Sequence, residues 1–131
     1  MGTFLYWFKE TVYMNEYKNF NFTNLCYAFK GKNGRVILNK DNQVYIKREG
    51  WFGIPYQLFT GGPKLFTIDE IESIDLKEPD WMRGYIDFHI KGKKKVARVW
   101  LTRPAYVPYA KHMKELIEDK QRIKRFNETI K

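Results

Sequence analysis

Between Gly84 and Gly92 the chain reads Tyr-Ile-Asp-Phe-His-Ile-Lys, apolar at every second position. A period of two places Ile86, Phe88 and Ile90 on one face and Tyr85, Asp87, His89 and Lys91 on the other, which is the geometry of a strand and not of a helix. Gly92-Lys93 then reverses the chain into Lys94–Leu101, so a hairpin with a strongly basic tip is expected. A strand with one apolar face is stable only against a second layer, and the rest of the chain has to supply it.

Further strand patterns precede this hairpin. Leu25–Lys30 leads through Gly31-Lys32-Asn33-Gly34, a strong hairpin signal, into Arg35–Asn39. Lys40-Asp41-Asn42 turns into Gln43–Arg48, where Val44 and Ile46 face one way and Gln43, Tyr45 and Lys47 the other. Lys64–Ile68 and Ile71–Lys77 complete the set, the latter ended by Pro79-Asp80. Near the end of the chain Tyr106, Tyr109, Ala110, Met113, Leu116, Ile117, Ile123, Phe126 and Ile130 fall near one helical face, with Lys111, Lys114, Glu118, Asp119, Arg122 and Arg125 opposite. Pro104 and Pro108 set the start, so an amphipathic helix is expected over about 105–127. Phe4, Trp7, Phe8 and Val12 suggest a short N-terminal helix, followed by an Asn-rich loop. With 131 residues, 18% of them aromatic, a single domain with a full hydrophobic core is expected. The expected class is α+β, mostly β.

Four stretches carry a family likeness: GRVILNKDNQVYIKREGWFG, GPKLFTIDEIESIDLKEP, RGYIDFHIKG and KKKVARVWL. Together they resemble the bacterial pleckstrin-homology-like (PH-like) domains, over roughly residues 25–126. The resemblance implies about seven antiparallel strands in two nearly orthogonal sheets, a partly open barrel capped at one end by the C-terminal helix. Residues 25–131 would then form the domain, and 1–24 an extension packed on it or flanking it.

For function, the net charge of +9 points to nucleic acid, an anionic membrane face or an acidic protein. Lys30, Lys32 and Arg35 cluster around the first hairpin, where Lys47-Arg48 could join them, and Lys91, Lys93, Lys94, Lys95 and Arg98 lie on the later one. In eukaryotic pleckstrin-homology domains the first hairpin can grip phosphoinositide phosphates. Lys30, Lys32 and Arg35 match that pattern, but the Lys/Arg-x-Arg ending of the second strand is missing. Trp51, Phe52 and Trp81, in or beside loops, are candidate exposed aromatic contacts.

Chemistry of other kinds has little to work with. The single cysteine, Cys26, excludes an intrachain disulfide and is expected to be a buried, inert thiol. His89 and His112 are isolated, and Asp69, Glu70 and Glu72 read as solvated carboxylates. No phosphate-binding glycine loop occurs. No catalytic residue, metal site or cofactor is therefore assigned. No apolar run approaches the ~20 residues of a membrane span, so a cytoplasmic protein is expected, at most peripheral at the membrane. The leading expectation is a non-catalytic module for protein–protein contact or docking at an anionic surface. The alternative is a basic nucleic-acid-binding protein, or an inhibitor of a nucleic-acid enzyme from a phage or mobile element.

Overall fold

The computed structural model describes residues 19–49, 55 and 62–130. Trp51 and Phe52, and the helix expected near the N-terminus, lie outside the described residues. Among these residues seven strands follow one another: β1 (Leu25–Lys30), β2 (Gly34–Asn39), β3 (Gln43–Arg48), β4 (Leu65–Thr67), β5 (Ile71–Lys77), β6 (Gly84–Ile90) and β7 (Ala97–Leu101). A helix, α1 (Val107–Thr129), ends the chain, and short 3₁₀ turns at Ile68–Glu70 and Pro104–Tyr106 precede β5 and α1. The strands form two antiparallel sheets, one ordered β1-β2-β3-β4 and the other β5-β6-β7. Among the described residues they do not form a closed barrel.

The main core lies between the sheets. Val36, Leu38, Val44, Ile46 and Phe66 meet Ile74, Ile86, Phe88, Ile90, Val99 and Leu101 there, and Ala110, Met113 and Ile117 of α1 cover one side. The first hairpin ties the sheets together at a corner. Lys32 N–H donates to the Trp100 carbonyl (2.9 Å), and the buried Asn33 side chain accepts from Trp100 N–H (2.9 Å). Gly31 has to be glycine here, because a Cβ would lie 2.3 Å from Val99 Cγ1 and 2.8 Å from the Trp100 carbonyl.

The outer face of the first sheet carries a second, smaller core. Tyr45 does point away from Val44 and Ile46, but that face is not open to solvent: Phe20 packs over Tyr45, Ile37 and Leu65. A polar network holds the covering segment down. Gln43 Nε2 donates to the Asn19 carbonyl (2.9 Å), and Asn39 Nδ2 donates to the Asn21 carbonyl (3.1 Å) and to Gln43 Oε1 (2.8 Å).

Four expectations change. Cys26 is exposed, because the β1–β2 register slips between Leu25 and Tyr27 and leaves it on a bulge without a cross-strand partner. Asp87, expected in solvent, is buried against Arg98. Strand β7 starts at Ala97, so Lys94-Lys95-Val96 belong to the connection, which turns at Gly92 (φ 76°). The apolar residues of α1 form two faces instead of one: Val107, Ala110, Met113 and Ile117 are buried, whereas Tyr109, Ile123, Phe126 and Ile130 are exposed.

Candidate functional site

Strand β5 is bonded to β6 on one side, and among the described residues no strand pairs with its other edge. Helix α1 runs beside that open edge. Its position is fixed by Gln121, whose Nε2 donates to the carbonyls of Ile68 (2.7 Å) and Ile71 (3.1 Å), and by an ion pair between Lys124 and Asp69. Two cavities follow the space between strand and helix. One, of about 390 Å³, is lined by residues including Ile71, Glu72, Lys91, Gln121, Arg125 and Glu128. The other, of about 400 Å³, is lined by residues including Glu72, Ser73, Ile74, Glu118, Arg122 and Arg125. Glu72, Gln121 and Arg125 line both, so the two form one groove.

The sequence pattern explains this local structure. Ile71 and Ile74 turn into the core while Glu72 and Ser73 face outward, and the register slip between Ile71 and Ser73 sets Glu72 on the rim. On the helix, Glu118, Gln121, Arg122 and Arg125 recur at three- and four-residue spacing, which stacks them along one side. The groove thus has an apolar floor, walls carrying both signs of charge, and strand backbone along one edge.

Two of the carboxylates expected to be solvated have partners in the fold, Asp69 in its ion pair with Lys124 and Glu70 in a turn. Glu70 accepts from the backbone N–H (3.0 Å) and hydroxyl (3.2 Å) of Thr67, closing the 3₁₀ turn. Asp75 meets His89 Nε2 at 2.7 Å, and Glu78 meets Lys111 at 2.7 Å. Among the described residues, no group of three or more His, Cys, Asp or Glu side chains is placed to hold a metal ion.

The basic candidates separate. Arg98 is bound to Asp87 through two hydrogen bonds of 2.6 and 2.7 Å, and its guanidinium lies over the rings of Tyr85 (4.0 Å) and Trp100 (4.9 Å). Arg48 is buried, its Nη1 donating to the Arg98 carbonyl (2.6 Å). Arg35 forms an ion pair with Glu49 at 2.8 Å and aligns across the sheet with Lys30 and Lys47. Lys91, Lys93, Lys94 and Lys95 are all exposed on the β6–β7 connection. Lys32 pairs with Trp100 near the end of β7 and Lys95 precedes its start, so the two lysine groups are about 16 Å apart along the strand. They do not form one patch. Trp81 is 88% exposed, with Met82 beside it, on the β5–β6 connection.

The groove residues Glu72, Gln121 and Arg125 form no motif in the sequence. The spacing of Glu118, Gln121, Arg122 and Arg125 was visible, but which strand edge would stay open beside them was not. No helix among the described residues is long and apolar enough to cross a membrane. No family model, curated protein or solved structure matches the chain.

Proposed function

We propose that the chain is a non-catalytic binding module of PH-like build, and that the groove between β5 and α1 takes an extended segment of a protein partner. The four-plus-three strand order followed by a C-terminal helix supports the PH-like reading, and nearly orthogonal packing of the sheets belongs to it. One observation carries the function: a continuous groove runs along an open strand edge. An extended segment entering it extends the sheet by one strand. Its backbone hydrogen bonds give affinity, and every second side chain meets the groove walls. Arg122, Arg125 and Lys91 then read acidic side chains, and Glu72, Glu118 and Glu128 read basic ones.

Selection from a displayed library of random peptides against the purified protein tests this. Peptides with a recurring charge pattern are expected, and their affinity should fall at least about tenfold in an Arg122→Glu/Arg125→Glu variant. Selection of no peptide above background, or of peptides indifferent to that variant, overturns the proposal.

A further inference from the structure

The two ends of the β5 groove differ in charge. Helix α1 runs antiparallel to β5, since Lys111 meets Glu78 beyond one end of the strand and Gln121 meets Ile71 at the other. At the Glu78 end the charges are matched: Lys111 is paired with Glu78, and Lys114 lies 3.7 Å from Glu118. At the Ile71 end Lys124 takes Asp69, and Glu70 closes the turn with Thr67. Lys91 and Arg125 line the cavity there without an ion pair among the described residues. Lys91 also begins the exposed loop that continues through Lys93, Lys94 and Lys95, which are equally unpaired. Against these cations stand only Glu72 and Glu128.

A cationic end suits a polyphosphate or an acidic polypeptide, and the rest of the groove separates the two. A nucleic-acid strand laid along it would carry phosphates past Glu72, Glu118 and Glu128, whose charges repel them. It would also leave the backbone groups of the β5 edge unmet. A polypeptide acidic at one end only avoids that repulsion and satisfies the edge.

The direction of such a segment follows from the sheets. All their pairings are antiparallel, and antiparallel addition is the more stable kind. A segment added in this sense runs opposite to β5, so its C-terminal end leaves the groove beside Ile71, Lys91 and Arg125. The added strand would lie two strand spacings, about 10 Å, from β6, a span that three extended residues cover. Resting on the peptide-binding role proposed for the groove, we infer that the bound segment is acidic just C-terminal to its strand-forming part. Lys91, Arg125 and Lys93–Lys95 hold those carboxylates.

The test measures binding of end-capped synthetic peptides to the full chain by fluorescence anisotropy. One is a run of alternating threonine and valine followed by serines, the second the same run followed by aspartates, the third the same run preceded by aspartates. The aspartate-last peptide should bind at least about tenfold more tightly than either of the others. Lys93→Glu/Lys94→Glu/Lys95→Glu, on an exposed loop, should remove most of that advantage with an unchanged thermal midpoint and leave the serine peptide unaffected. Equal affinity for the two aspartate peptides, or an advantage undiminished in the triple variant, overturns the inference. The groove itself then stands if any of the peptides protects the β5 amides from exchange. Protection of β5 by none of them removes the groove as a peptide site, and the inference falls with it. Tighter binding of an oligothymidylate than of the aspartate-last peptide, lost in the triple variant, also overturns it, because the loop's ligand is then a polyphosphate.

Discussion

Arg98 holds the carboxylate of Asp87 in a two-pronged grip on the outer face of the β5-β6-β7 sheet, with the Asp87 side chain only 5% exposed. The two residues are direct cross-strand partners, and the rings of Tyr85 and Trp100 flank the guanidinium. Removing one partner of such a pair leaves a desolvated charge behind. Asp87→Ala is therefore expected to cost about 2–3 kcal/mol in urea unfolding, at the lower end for a buried pair because Arg98 keeps some contact with water. The double variant Asp87→Leu/Arg98→Met should recover most of that loss.

Asn33 joins the first hairpin to β7 from a fully buried position. Asn33→Ala leaves the Trp100 N–H without its acceptor, and a loss of about 2 kcal/mol is expected. Thermal unfolding should show it as a lowered midpoint, with secondary structure intact at low temperature.

Phe20 lies outside the strands, yet it is 4% exposed and packs on Tyr45 with ring centroids 5.5 Å apart. Phe20→Ala should cost about 3 kcal/mol, the usual scale for deleting a buried aromatic ring. Amide exchange would show the loss concentrated at Ile37 and Tyr45.

Burial, reinforced by the neighbouring Tyr109, raises the Tyr27 hydroxyl above the ordinary tyrosine value of 10.0. The folded chain thus holds this proton more tightly than the unfolded chain does. The stability associated with it is complete below pH 10 and falls as pH rises through the raised value. Tyr27→Phe should reduce the loss of stability above pH 10, measured by unfolding at pH 9 and pH 11.

How much the sequence disclosed depended on how local the cause was. Alternation in Tyr85–Lys91, the Asn42 turn and the prolines at the start of α1 depend on near neighbours, and those elements lie where the pattern puts them. Asp87 and Arg98 are eleven residues apart, and their alternation alone gave no sign that they would meet across a hairpin. Cys26 turned outward because of a register slip, which composition does not encode. The two apolar faces of α1 could be separated on a helical wheel, but only the end of the sheets decides where the core-facing one stops. The groove needed both an open β5 edge and the Gln121 anchor, and these are tertiary facts.

The proposed function has β5 offer its open edge to an extended partner segment. Amide hydrogen exchange, with and without a saturating selected peptide, tests it most directly. New protection is expected at Glu72, Ser73 and Asp75 on β5, with α1 amides from Glu118 to Arg125 affected less. Unchanged exchange along β5 together with new protection in the β1–β2 hairpin would contradict it.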